Sequence, residues 1–180
     1  MPPCRRAERG EMSQESERNA EGVDFALVAY REEGVWQVQE LDDHRAADLD
    51  ELAVELRRYP GDAGSLGLVS VDEDFFLLVR VFGAQVRLLL SDVTAATDWP
   101  IARSVVDHLE LPPPDDEEYQ EPAGDLGIVA DLGMGAMDMG ALLDDLELYP
   151  DEMLSDIAVR LGFGREYDEL IGVGSGPVSL

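Results

Sequence analysis

Few side chains in this chain belong to the types that perform catalysis, and His108 has the most suggestive neighbours. His108, Leu109 and Glu110 match the His-x-Glu half of a zinc deaminase signature, in which a metal-bound water is activated beside a glutamate. That chemistry also needs a Pro-Cys-x-x-Cys pair further along the chain, whereas the single cysteine, Cys4, lies far upstream. His108 is better interpreted as a residue at a helix end, beside the negative end of the helix dipole.

Three other patterns suggest ligand binding without completing a site. The acids at 72–74 lack the glycine and the distal glutamate of a calcium-binding EF-hand loop, and they fit a turn between strands. Gly133 and Gly135 lack the third glycine of a dinucleotide fingerprint and stand among carboxylates that repel phosphate. His44 stands next to acidic residues, which favours local hydrogen bonds. These patterns predict no catalytic residue, no metal ligand and no cofactor site.

Charge is the dominant property of the chain. It carries 40 Asp and Glu against 13 Lys and Arg, all of them Arg, for a formal net charge of -27 over 180 residues. Because phosphates are held mainly by Lys and Arg, this balance argues against direct nucleic-acid binding. The apolar runs are too short to span a bilayer, and the acidic surface would be repelled by anionic headgroups. A single cysteine rules out a disulfide within one chain, so we expect a cytoplasmic protein.

The distribution of charge and proline divides the chain. Residues 110–124 contain three consecutive prolines followed by four acids, which predicts an extended, acidic, proline-rich linker. It separates an α+β domain at 23–109 from a helical C-terminal unit at 125–171. We expect residues 1–22 to be a disordered N-terminal tail and residues 172–180 a flexible tail. Met12 is a plausible alternative start to Met1.

The segment before the linker predicts a mostly antiparallel, five-stranded sheet with two helices on one side. Its strand-like runs are separated by short turn-forming segments, which favour hairpins. The expected strands are 23–31, 35–41, 66–71, 75–82 and 86–90. One amphipathic helix begins after Asp48, with Glu51 completing a capping box, and ends before Pro60. A second helix begins near Pro100.

After the linker, the apolar residues recur with helical spacing. Met139, Leu142 and Leu143 mark one helix face, and a second helix begins near Pro150 and ends at Gly162. A short strand at 126–130 is the one exception that the pattern allows. A unit of two or three helices with about 50 residues has too little core to be stable alone, so it must pack on the sheet or on a partner.

Several stretches of the chain resemble a known family. The segments at 24–36 (DFALVAYREEGVW) and 125–134 (DLGIVADLGM), and the pair 149–154 (YPDEML) and 160–163 (RLGF), are similar to the tRNA adenosine deaminase-associated proteins of actinobacteria. The resemblance covers about residues 23–171. It implies an association with the tRNA-specific adenosine deaminase, inferred from gene adjacency. It carries over no activity and no catalytic residue.

Together, charge and resemblance predict a non-enzymatic acidic protein that binds or regulates the tRNA-specific adenosine deaminase. The deaminase must present a basic face to tRNA, and an acidic protein could dock there. The expected contact lies in the C-terminal helices. Its charged residues are Asp144, Asp145, Glu147, Asp151 and Glu152, and its apolar anchors are Met134, Met137 and Met139.

Other interpretations stay open at this stage. The acids could merely solvate a surface, and methionines fill protein cores more often than they form docking sites. The protein could instead be a structural or adaptor protein that assembles with itself or with an unrelated partner. Paired carboxylates alone can perform acid–base catalysis, but no nucleophile, metal cluster or phosphate loop accompanies them here.

Overall fold

The computed structural model describes residues 23–42, 48–59, 61, 64–111, 121–145 and 147–171. Its centre is a six-stranded, fully antiparallel sheet in the order β2-β1-β3-β4-β5-β6. The strands are β1 (Val23–Glu32), β2 (Val35–Glu40), β3 (Ser65–Val71), β4 (Phe75–Phe82), β5 (Gln85–Leu90) and β6 (Ala123–Gly124). The predictions for the two tails, for most of the linker, for His44 and for Cys4 fall outside the described ranges.

The α+β class and the antiparallel sheet are confirmed, but the strand count of five is wrong. The sixth strand, β6, has only two residues and lies at the end of the predicted linker, paired with Leu89 and Leu90. A two-residue strand shows no periodicity, so the sequence pattern could not reveal it. The suggested strand at 126–130 is also wrong. Asp125 Oδ1 accepts the Gly127 N–H at 2.9 Å and turns the chain, and a 3₁₀ turn follows at Ala130–Leu132.

Five α-helices surround the sheet within the described part of the chain. They are α1 (Leu49–Leu56), α2 (Pro100–His108), α3 (Ala136–Leu143), α4 (Pro150–Leu161) and α5 (Gly164–Ile171). One half of the predicted capping box of α1 is present, because Asp48 Oδ1 accepts the Glu51 N–H at 3.1 Å. No described helix is long and apolar enough to cross a membrane.

Both faces of the sheet are buried, each under a different set of helices. Alternate residues of a strand point to opposite faces. Val28, Leu77 and Val79 therefore pack with α1 and α2 on one face, where the two early helices were predicted. Leu27, Phe76 and Leu78, from the other face, pack with α3, α4 and α5. The C-terminal helices therefore form a third layer that buries its apolar side against the sheet.

Polar contacts form at both ends of α4, one to the sheet and the other to α5. The Trp36 Nε1–H donates to the Leu161 carbonyl at 2.9 Å, and the Trp36 ring lies 4.9 Å from the ring centre of Phe163. The Tyr167 hydroxyl donates to the Asp151 carbonyl at 2.8 Å. Burial, together with the nearby acids Asp151 and Asp168, raises the pKa of Tyr167, so its hydroxyl keeps the proton that it donates.

Two arginine–aspartate pairs attach the segment at 125–131 to the sheet. Arg80 and Arg87 face each other across β4 and β5. Arg80 is 5% exposed, donates to the Ile128 carbonyl at 2.9 Å and forms a two-pronged ion pair with Asp131, one prong at 2.8 Å. Arg87 donates through Nε to Asp125 at 2.7 Å and through a second nitrogen to the Gly127 carbonyl at 3.1 Å. Asp131 neutralises Arg80, and Asp125 neutralises the adjacent Arg87. Both ion pairs therefore stabilise the packing of the segment at 125–131 on the sheet.

An acidic cleft as candidate partner-binding site

Acidic side chains converge at the end of the sheet where β3 turns into β4. Asp72 and Glu73 form that turn with φ of +50° each, and Glu73 donates its N–H to Asp24 at 2.8 Å. The chain leaves β5 at the same end, because Ser91 donates its N–H to the Phe76 carbonyl at 3.0 Å. The antiparallel register therefore places Asp92 beside the 72–74 turn.

The connection between α3 and α4 closes this end of the sheet into a cleft of about 200 Å³. The sheet side of the cleft carries carboxylates and the helix side carries apolar groups. The lining residues are Glu73, Asp74, Ser91, Asp92, Leu143, Leu148, Tyr149, Pro150 and Met153. A concave surface with an acidic wall and an apolar wall suits a positively charged group on an apolar stem.

The carboxylates of the cleft repel one another. Asp92 is only 6% exposed, and its Oδ1 accepts the N–H of Thr94 at 2.9 Å and the hydroxyl of Thr94 at 2.6 Å. Burial raises the pKa of Asp74, and the neighbouring Asp92, Asp72 and Asp98 raise it further, while a hydrogen bond with the Trp99 side chain acts in the opposite direction. In the described part of the chain, no arginine forms an ion pair with Glu73, Asp74 or Asp92.

This repulsion gives a first testable prediction. A carboxyl whose pKa is raised by folding destabilises the folded state once it ionises, so its favourable contribution is lost as the pH rises through the folded-state pKa. Asp74→Asn should therefore raise the free energy of unfolding at pH 7 by about 0.3 kcal/mol, a small gain because the side chain is exposed and screened. The gain should vanish near pH 3, where the wild-type carboxyl is protonated in both states.

Urea unfolding at the two pH values measures this effect. Glu40→Gln, which neutralises an exposed acid at the end of β2 and outside the cleft, is the control. An equal gain in the control, or a gain for Asp74→Asn that persists near pH 3, would contradict the proposed repulsion.

The five acids predicted as a contact face are close in sequence to residues that line this cleft. Leu143 and Leu148, which line the cleft, enclose Asp144, Asp145 and Glu147 in sequence, and Asp151 and Glu152 directly follow the lining residue Pro150. Four of the five are exposed and Asp151 is half-buried. Two also support the local backbone: Asp145 accepts the Glu147 N–H at 3.1 Å and Glu152 accepts the Tyr149 N–H at 3.0 Å. These bonds fix the path of the chain between α3 and α4.

The predicted apolar anchors differ sharply in exposure. Met134 and Met139 are 0% exposed and belong to the core between the sheet and the C-terminal helices, so neither is available as a surface anchor. Met139 lies on the inner face of α3 with Leu142 and Leu143. Met137, two residues earlier, points away from that face and is 91% exposed. Of the three methionines, only Met137 can contact a partner.

Sequence reasoning missed the sheet side of the cleft. Glu73, Asp74 and Asp92 were not among the predicted contact residues, because the first two were interpreted only as turn residues. They are separated from α3 and α4 by a long stretch of chain, and only the packing of the third layer brings them together. The one feature of the sequence that could have indicated this side of the cleft is the high density of acids at 72–74, in a turn that most proteins form with Gly or Asn.

The described residues offer no evident place for a metal ion. Within them, no group of three or more His, Cys, Asp or Glu side chains is arranged to hold one. His108 is exposed in the last turn of α2, as the helix-end interpretation predicted. The His-x-Glu pattern therefore lies at a helix terminus, away from the cleft.

Comparison with known proteins identifies the family. A family model described as Rv3753c-like tRNA adenosine deaminase-associated protein matches residues 24–164. Protein Rv3753c of Mycobacterium tuberculosis (strain ATCC 25618 / H37Rv) is 36% identical over 168 residues, which cover 92% of this chain and 96% of that protein. No solved structure shows significant similarity. The resemblance seen in the sequence is confirmed, and the chain belongs to the Rv3753c-like tRNA adenosine deaminase-associated protein family.

Proposed function

We propose that this protein is a non-enzymatic partner of the tRNA-specific adenosine deaminase and binds it through the acidic end of the sheet. The family description supports the association with the deaminase. The observation that carries the binding mode is the cleft itself, in which Glu73, Asp74 and Asp92 meet the α3–α4 connection. The acids of that connection are close in sequence to its lining residues. In the described part of the chain, these sheet acids have no cationic partner of their own.

The proposed mode of action is competition with tRNA. A protein that holds tRNA does so with Lys and Arg that neutralise phosphates, so its RNA face is basic. A protein with a net charge of -27 is drawn to such a face over a distance of about one Debye length, roughly 8 Å at physiological salt. While it is bound, it covers cations that tRNA needs. The acidic protein itself makes no contact with nucleic acid.

The test is binding of the full chain to the deaminase, with and without tRNA, over a salt series. We expect salt-sensitive binding that tRNA displaces. Neutralising the contact face should raise the dissociation constant about thirtyfold, because each exposed pair contributes roughly 0.2–1 kcal/mol. The site variant combines Asp144→Asn, Asp145→Asn, Glu147→Gln, Asp151→Asn and Glu152→Gln. These substitutions remove charge and keep the oxygen atoms that accept the backbone N–H groups at 147 and 149.

A control variant separates a specific face from net charge. It removes five exposed acids elsewhere, by Glu32→Gln, Glu33→Gln, Asp50→Asn, Asp107→Asn and Glu110→Gln. We expect less than about a threefold change for the control, since none of its five residues lines the cleft and exposed charges away from a contact are screened by salt. Equal weakening by both variants would show that only net charge matters. No binding even at low salt would overturn the proposal and favour an adaptor that assembles with itself or another partner.

A further inference from the structure

The acidic cleft has the size of a pocket for one side chain. Pockets that bind small-molecule ligands enclose about 300–1,000 Å³. At about 200 Å³, this cleft is smaller. A single long side chain from a docked protein fits that volume better than a metabolite does.

The lining selects the chemistry of that side chain. Leu143, Leu148 and Met153 form an apolar wall that suits a hydrocarbon stem, while Glu73 and Asp74 lie opposite and suit a cationic head. The planar guanidinium of arginine carries five N–H donors and pairs with carboxylates through two bonds at once. Tyr149, a lining residue that is 58% exposed, offers an aromatic face for such a cation.

A buried carboxylate oxygen in the cleft marks the place for the head group. Asp92 is more than nine-tenths buried, and both of its hydrogen bonds go to Oδ1, from the N–H and the hydroxyl of Thr94. Among the described residues, no group donates to Oδ2. A buried charged oxygen without a donor costs free energy, which an incoming N–H donor would recover.

We propose that this cleft receives an arginine side chain of the partner protein, with the guanidinium between Asp74 and Asp92 and the stem on Leu148 and Met153. That this partner is the deaminase rests on the function proposed above. That the pocket suits an arginine side chain is argued from the pocket alone. Lysine fits less well, because its ammonium is a strongly hydrated point charge that cannot form paired bonds with two carboxylates in one plane.

A small probe tests the pocket without the partner. Titration of the ¹⁵N-labelled full chain with Nα-acetyl-L-arginine amide should shift the Ser91 and Leu148 amide signals to saturation, with a dissociation constant of about 1–10 mM. Asp92→Asn should weaken this binding at least about tenfold, since a hydrogen bond to a charged group is lost. Asparagine keeps the oxygen that caps the turn at 93–97, so this variant should stay folded. Asp107→Asn changes the charge equally and should leave binding unchanged.

The outcomes separate this inference from the proposed function. Equal binding of Nα-acetyl-L-lysine amide, or binding unaffected by Asp92→Asn, would overturn the arginine assignment even if the deaminase binds. Saturable arginine binding in a protein that ignores the deaminase would uphold the pocket and overturn the deaminase as partner. The chain's own Arg5, Arg6, Arg9 and Arg18 are another source of guanidinium. If changing these four to Gln tightened probe binding about tenfold, the occupant would be this chain and not a partner.

Discussion

Asp131→Asn is expected to lower the free energy of unfolding by about 2 kcal/mol at pH 7. Breaking a fully buried ion pair costs roughly 3–5 kcal/mol, because the remaining charge loses its partner inside the protein. Arg80 is 5% exposed and would be that remaining charge, while Asp131 is 56% exposed, so solvent relieves part of the cost. Arg80 would keep its bond to the Ile128 carbonyl. Urea unfolding measures the difference.

Two further variants test whether the burial of Arg80 is the cause. Asp125→Asn breaks the neighbouring pair with Arg87, in which both side chains are 40% exposed, and should cost below about 1 kcal/mol. Arg80→Met combined with Asp131→Asn replaces the whole pair, leaves no buried charge, and should recover most of the lost stability. If Asp131→Asn lowered the free energy of unfolding no more than Asp125→Asn does, the burial of Arg80 would not be the cause of the loss.

The same pair predicts a dependence on pH. The hydrogen bond from Arg80 lowers the pKa of Asp131, and the charges of Arg80 and Arg87 act in the same direction. A lowered carboxyl pKa contributes stability that is complete above the unfolded-state value near 3.8 and is lost as the pH falls through the folded-state pKa. The difference between wild type and Asp131→Asn should therefore be constant from about pH 5 to 7 and shrink below about pH 3.8.

Gly124→Ala is expected to lower the free energy of unfolding by about 3 kcal/mol or more. Gly124 has φ of +114°, a conformation that side chains rarely adopt, and this strain alone costs about 1–3 kcal/mol. A Cβ at this position would also press on the Leu88 carbonyl, whose carbon would lie only 3.0 Å away. Gly124 pairs with Leu89, so relief of the clash would separate β6 from β5.

Gly83→Ala is the matched control for Gly124→Ala. Gly83 also has positive φ, +60°, but nothing lies within 4 Å of a Cβ built there. Its substitution should cost about 1 kcal/mol, the price of the left-handed backbone alone. Thermal and urea unfolding of both variants isolates the steric part. Equal decreases in the free energy of unfolding would mean that β6 separates from β5 at little cost and contributes little to the stability of the fold.

Local patterns were sufficient for most of the secondary structure. The five long strands and the starts of α1, α2 and α4 were predicted because alternating apolar residues, Asp48, Pro100 and Pro150 act through neighbours in the chain. The need for the C-terminal helices to find a surface also followed from their length. The two-residue β6 and the turn after Asp125 were missed, since each depends on hydrogen bonds that leave no periodic pattern.

In the candidate site, too, local patterns predicted some residues, and only tertiary contacts identified the others. The acids of the α3–α4 connection were predicted from charge density, and their exposure agrees with a surface role. Met134 and Met139 were chosen for their type and proved to be core residues, because composition alone does not tell which face of a helix meets the sheet. Glu73, Asp74 and Asp92 were not predicted as contact residues at all.

The net charge, the fold class and the family thus follow from the sequence alone. Net charge is a sum over the residues, and helices and strands depend on neighbours within a few positions. The rest depends on contacts between distant segments: the covering of the second sheet face, the pairing of Arg80 with Asp131, and the cleft that joins Asp92 to Tyr149. Such contacts arise when buried surfaces pack and charges find partners, and no local pattern specifies which partner is met.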